Sequence, residues 1–462
     1  MKRSRRKSKT GNKKVPSIPP LIVPVYLVTL ALFLIAALHP HHNLWSVSWW
    51  AHYPVAVPFG LFLVGLVFLY GVSRLKGLIG GSDISNGRYL AFAAITVVLA
   101  GVIFWTLRAQ THYLGDGYQL LSRLASDNPL IKPWNFGGIA VPYGLSRLLG
   151  DGTESAVLLG YQVVSIASGL ILATVVYLTA KQLFSSNKDR LLFLLGVMTA
   201  GTSLLFFGYV ENYSLFVVTV FSFGLVGLLV AQEKISRFWI SIPLVLALFF
   251  HIFGVMLLPA ALYLLVSGTG TGEKIAASSK GTKALVGVMA GLGLAAGFWY
   301  LYAHYYFFRF AFVPVISDRF TVEGYTLFSF QHLLDWLSLL LLLLPGLLVA
   351  LVALWKHSRR APLERREFRF LFVFLTCCLL AVFVLDPRLG MPRDWDLFSF
   401  AGVPLVLMTF YMLLGFEDNS GRGRQTAILV IGIGFLALLP RAWSQTDYDV
   451  SVAHLKSYSD HD

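Results

Sequence analysis

Apolar runs of about 15 to 25 residues recur along this chain from Leu21 to Leu439, each close to the roughly 20 residues that an α-helix needs to cross a bilayer core. Inside hydrocarbon every backbone N–H and C=O must be paired within its own segment, so runs of this length fold as helices. Thirteen spans are expected. They lie at Leu21–Leu38, Val55–Tyr70, Tyr89–Leu107, Ser155–Thr179, Leu191–Phe207, Ser214–Val230, Phe238–Phe250, Phe253–Val266, Ala284–Ala303, Leu334–Leu354, Phe370–Leu385, Phe400–Leu414 and Ala427–Leu439. Composition agrees: 56% of the 462 residues are hydrophobic and 13% are charged, which excludes an ordinary soluble domain. The first run ends in His39-Pro40-His41-His42 with no small-x-small cleavage pattern, so it reads as a retained span and not as a signal peptide. The fold class expected is therefore all-α, a polytopic transmembrane helical bundle with short interfacial helices in its outside loops.

The net charge of +14 is spread over short loops and forms no single stripe, which argues for membrane topology and against nucleic-acid binding. Residues 1–17, with Lys2, Arg3, Arg5 and Arg6 among their basic side chains, read as a disordered cytoplasmic arm. With that arm inside, most of the 37 Lys and Arg residues fall in inside loops, and the longer loops lie outside. Residues 18–441 form the membrane domain and 442–462 a short polar tail on the outside. The stretch Phe238–Val266, interrupted by Pro243 and Pro259, is either one kinked helix or a hairpin, spanning or re-entrant; only a hairpin keeps the run from Lys356 to Arg369 inside. Cys377 and Cys378 are adjacent in an apolar run and cannot staple distant segments.

Ionisable residues gather in three outside segments. The first is His112-Tyr113-Leu114-Gly115-Asp116-Gly117-Tyr118, where Asp116 sits as a span meets water, ahead of a short helix with Tyr118, Leu121 and Leu124 as its apolar stripe. Asp116 is either that helix's cap or a base poised at the membrane surface. The second is Gly208-Tyr209-Val210-Glu211-Asn212-Tyr213, a turn so short that Glu211 must lie near the headgroups, kept there by a partner or facing water. The third, Asp386 to Asp396, is the densest. Arg388 and Arg393 can present planar donor forks to a phosphate, while Asp394 and Asp396 form an Asp-x-Asp pair able to hold a divalent cation; pairing among these charges is the alternative. His251 reads as a satisfied buried histidine or a polar contact for a ligand. His39, His41, His42 and His52 sit among Trp45, Trp49 and Trp50, which suits an interfacial aromatic belt better than a metal site.

The segments HYLGDGYQLL, FFGYVENYSLF and ALFFHIFGVMLLPAALYLL together resemble the GT-C superfamily of membrane glycosyltransferases, in its branch of protein O-mannosyltransferases and aminoarabinose transferases. The resemblance implies an enzyme that takes a sugar from a polyprenyl-phosphate donor at the non-cytoplasmic face and passes it, with inversion, to a protein, lipid or glycan acceptor. It implies Asp116 as the catalytic base, Arg388, Arg393 and His251 on the donor phosphate, and Glu211, Asp394 and Asp396 orienting sugar hydroxyls or a divalent Mg or Mn ion. A bacterial plasma membrane, with the N-terminus cytoplasmic and the C-terminus outside, is the setting expected. The chain departs from the family in having His251 where many relatives have lysine, Gly-Asp-Gly where they have paired acids, and two extra spans before Asp116. A lipid or solute transporter and an envelope polysaccharide polymerase or ligase are the rival readings. Spans that are nearly pure Leu, Val, Phe and Gly, with polarity concentrated at one face, fit an interfacial enzyme better than a transporter.

Overall fold

The computed structural model describes residues 18–74, 82–113, 115–267, 310–316, 325–358, 364–415 and 421–459, with shorter stretches between 292 and 308. Among these residues the chain is all-α. The helices are α1 Ile22–Leu38, α2 Ala56–Arg74, α3 Asn86–Thr106, α4 Gly117–Leu124, α5 Phe136–Leu149, α6 Glu154–Leu183, α7 Asn187–Met198, α8 Ser214–Ala231, α9 Ser241–Phe250, α10 Leu258–Val266, α11 Phe330–Leu343, α12 Leu347–Ser358, α13 Arg366–Val384, α14 Gly402–Gly415, α15 Arg422–Ser444 and α16 Tyr448–Ser459. Six of them (α2, α3, α6, α8, α13 and α15) are long and apolar enough to cross a membrane by length and composition. Twelve of the thirteen expected spans coincide with described helices; Ala284–Ala303 and the basic arm 1–17 lie essentially outside the described residues.

Two expected spans are broken. Leu334–Leu354 divides into α11 and α12, bent by 88° at Leu344-Pro345-Gly346, because proline removes a backbone donor and its ring clashes with the preceding turn. Leu191–Phe207 divides after α7 into a 3-10 turn over Gly201–Phe206. The stretch Phe238–Val266 is a hairpin. It reverses at His251, whose extended backbone (φ −157°, ψ 140°) ends α9. His251 packs on Tyr213 and Phe216 at the start of α8, whereas Ser267, at the hairpin's far end, accepts a 2.9 Å hydrogen bond on its carbonyl from Arg366 at the start of α13. Both arms therefore run alongside α8, and each is about 20 Å long at a helical rise of 1.5 Å per residue.

The centre of the bundle is α8, 78% buried over its apolar window, while α2 and α3 at 17% face outward as lipid-contacting walls. Lipid tails are as apolar as leucine, so close packing and not water exclusion must hold such helices together. Accordingly Gly224 and Gly227 of α8 lie directly under Leu407 of α14 and Phe370 of α13.

The basic face of the bundle is latched by charge. Arg424 of α15 donates two hydrogen bonds to Asp189 of α7, at 2.7 and 2.8 Å. Asp83 accepts from the backbone N–H groups of Asn187 and Lys188, capping α7. Asp189→Ala removes two hydrogen bonds from a largely buried guanidinium and is expected to cost about 3 kcal/mol. Chemical unfolding in detergent checks this, and the pair replacement Asp189→Leu with Arg424→Leu should recover most of the loss.

Candidate functional site

The opposite end of the bundle gathers the three acidic segments. Glu211 is held from α6, where Tyr161 donates through its hydroxyl to Asn212 Oδ1 at 2.9 Å and Ser165 Oγ accepts from the Tyr209 N–H at 3.2 Å. The turn does not face water: Glu211 is 5% exposed, and its Oε1 accepts the Asp116 N–H at 2.6 Å. Asp116 precedes α4 but its carboxylate makes no capping hydrogen bond to that helix. The helix buries Leu120, Leu121 and Leu124, so Leu120 replaces the expected Tyr118, which is exposed. Between the acids sits Gly115 at φ +77°, a left-handed conformation that glycine adopts without strain. A Cβ there would lie 3.0 Å from Asp396 Oδ2 and closer still to Glu211 Oε1. Three carboxylates from three distant segments thus surround one short stretch of main chain.

The third segment is anchored at its base, where Asp386 donates its N–H to Ala311 O and Val313 donates to Val384 O. Asp394 ties the loop to itself by accepting the Leu389 N–H at 2.8 Å, and Asp396 Oδ1 accepts from Leu397 N–H at 2.8 Å. Asp396 Oδ2 is buried without a hydrogen-bond partner. Arg388 is exposed and Arg393 half-buried, with its Nε also buried and unpartnered. No ion pair within 4.0 Å joins either guanidinium to a carboxylate of this loop, so internal pairing does not consume them. The Asp-x-Asp pair makes a poor cation site: its two carboxylates serve different backbone donors, and among the described residues no three His, Cys, Asp or Glu side chains stand where they could hold a metal.

Burial first, and then the neighbouring Asp396 and Asp116, push Glu211 well above the usual carboxylate range; burial and Asp394 do the same to Asp396. Asp394 is pushed up to about 6, mainly by burial and against the pull of the Leu389 N–H. Groups raised in this way bind more protons folded than unfolded. Their stabilisation is complete at low pH; for Asp394 it is lost as pH rises from about 4 through about 6, and Glu211 and Asp396 act in the same direction. The purified protein should therefore melt at a higher temperature near pH 5 than near pH 8, and Asp394→Asn should flatten that slope in a thermal-shift series.

His251 is buried and engaged at one ring nitrogen. Its Nδ1 accepts the Phe253 N–H at 3.1 Å, and its ring lies among Tyr213, Phe216 and Phe253. Arg441, at the outer end of α15, was not singled out by sequence reasoning. It is 1% exposed, with its guanidinium carbon 4.0 Å over the Trp49 ring and 5.0 Å over that of Trp395, the residue between Asp394 and Asp396. Tyr209 packs on Trp395 with ring centroids 5.7 Å apart. This stack joins the segment between α1 and α2, the acidic turn, the Asp386–Asp396 loop and α15.

No protein-family model matches the sequence, and no curated protein matches it either. Among solved structures, that of ArnT from Cupriavidus metallidurans in the apo state aligns over 78% of this chain and 77% of its own, with 14% sequence identity and a TM-score of 0.39. A likeness of that degree carries no argument about activity.

Proposed function

We propose that the protein is a membrane glycosyltransferase of the GT-C type, moving a sugar from a polyprenyl-phosphate donor to an acceptor at the non-cytoplasmic face, most simply of a bacterial plasma membrane. The observation that carries the reading is the meeting of Asp116, Glu211 and Asp396 around Gly115, in and beside a loop whose two guanidiniums form no ion pair within 4.0 Å among the described residues. The reaction needs a base and an electrophile that leaves as an anion. Asp116, more exposed than the other two, takes the proton from an acceptor hydroxyl or amine. The acceptor atom bonds to the anomeric carbon as the bond to the phosphate oxygen breaks, with inversion. The phosphate departs as an anion, so no general acid is required. Arg388 and Arg393 stabilise its charge as fixed donors. Glu211 contributes by fixing the Asp116 backbone.

A phosphate held by two guanidiniums makes charge-assisted hydrogen bonds worth roughly 1.5–3 kcal/mol each. Arg388→Ala combined with Arg393→Ala should weaken retention of undecaprenyl phosphate at least tenfold in native mass spectrometry. Unchanged retention would take both guanidiniums out of donor binding.

A further inference from the structure

A second set of buried polar groups lies at the start of α11, outside the carboxylate cluster. His332 and Asp335 are one turn apart on that helix and Tyr325 precedes it; all three are at most 9% exposed. His332 Nε2 meets the Phe383 carbonyl at 2.8 Å, and a carbonyl only accepts, so this nitrogen carries a proton. Phe383 stands in the last turn of α13, where carbonyls have no partner within the helix. The two rings also pack together, with centroids 5.1 Å apart. Three residues further on begins the acidic loop, tied at its base through Asp386 N–H to Ala311 O and Val313 N–H to Val384 O. His332 thus holds the end of α13 from which Arg388 and Arg393 extend.

A chain behind His332 orients its ring. The Tyr325 hydroxyl lies 3.1 Å from His332 Nδ1 and 3.3 Å from Asp335 Oδ2. Asp335 Oδ1 accepts from Trp45 Nε1 at 3.2 Å and from Gln331 Nε2 at 3.3 Å, which leaves Oδ2 for the tyrosine. Two hydrogen bonds in a row across three heavy atoms need two protons, and the tyrosine supplies one. The second must sit on Asp335 Oδ2 or on His332 Nδ1, pointing in either case at the tyrosine oxygen. A neutral histidine with an ionised aspartate would leave one of the two gaps unbridged. Among the described residues, the titratable groups facing the chain are its own three members and Asp386, whose charge bears on Tyr325 and which burial pushes up to about 7.

We propose that Tyr325, His332 and Asp335 are positioning residues that hold one exchangeable proton among them and, through the Phe383 carbonyl, set the base of the Asp386–Asp396 loop. What the loop binds rests on the glycosyltransferase reading; the anchor itself does not. With the proton present, at low pH, both gaps are bridged and the histidine ring is fixed. As pH rises and the proton leaves, one bond of the chain is lost and the end of α13 loosens. Asp335→Asn sets a permanent amide donor against Tyr325 and keeps an oxygen for Trp45, so the anchor stays closed at either pH. Tyr325→Phe keeps the ring and removes the relay.

The test is hydrogen–deuterium exchange of the full-length protein in nanodiscs near pH 5 and near pH 8, corrected for the intrinsic pH dependence of exchange and read at the Leu385 and Asp386 amides. Wild-type protection should fall at the higher pH by about three- to tenfold, the worth of one hydrogen bond. Asp335→Asn should keep the low-pH protection at both values, and Tyr325→Phe should show the weaker protection at both. Asp386→Asn should leave the wild-type pH dependence in place, which separates the anchor from the loop's own acid. Wild-type protection equal at the two values, or a fall that Asp335→Asn does not remove, would overturn the anchor. Asp335→Asn deletes none of the chain's bonds, so it keeps the test decisive even where Tyr325→Phe fails to fold. Retention of undecaprenyl phosphate in native mass spectrometry should weaken in Tyr325→Phe and not in Asp335→Asn; retention unchanged in a Tyr325→Phe protein whose protection has fallen would overturn the positioning role. Protection in the expected order, with no transfer from any donor, would keep the anchor and remove the transferase reading. Transfer that depends on Asp116, with protection indifferent to both variants, would do the reverse.

Discussion

Asp116→Asn is expected to yield a folded protein whose sugar transfer has fallen by about 10²- to 10⁴-fold, the usual range for removing a general base. The substitution keeps the shape and the backbone N–H that Glu211 accepts at 2.6 Å, so the local fold should survive. What it removes is the proton acceptor. Donor KM should change little, because the phosphate contacts belong to a different loop. A fall in kcat with steady donor KM would separate a base from a binding residue, and an equal loss through KM alone would assign Asp116 to holding substrate.

Gly115→Ala should have the second largest effect, by a different route. At φ +77° an L side chain costs roughly 1–2 kcal/mol, and the added methyl enters space held by Glu211 and Asp396. Those carboxylates must move, and a displacement of about 1 Å can cost on the order of 10²-fold in rate. Tm and transfer should therefore fall together. An alanine variant with wild-type Tm and activity would mean that the three carboxylates are not held in a fixed relation.

The helices, and the gathering of the acidic loops at one end of the bundle, were legible in the sequence. Both depend on local patterns, apolar length and basic loop charge, which act along the chain and not across it. Asp116, Glu211 and Asp396 belong to separate loops, yet parity alone was enough to bring them to one face. The bend at Pro345 was also written in the chain, but a window that scores apolarity passes over one proline among leucines. Arg441 was not legible. Its partners Trp49 and Trp395 are remote in sequence, and a lone arginine at the end of a span looks like any other interfacial charge. Gly115 stands in the motif beside Asp116, where nothing local marks it out. Its closer role, making room for two carboxylates, exists only once the loops meet. The helix Tyr448–Ser459 lay in what read as a polar tail, because its twelve residues carry no marked apolar stripe.

The measurement that bears most directly on the central claim is sugar transfer from a panel of radiolabelled polyprenyl-phosphate sugars by the purified protein, with crude membranes as the source of acceptor and Asp116→Asn in parallel. The account predicts transfer from at least one donor by the wild type and its loss in the folded Asp116→Asn protein. Transfer untouched by that substitution, or none from any donor, would contradict it.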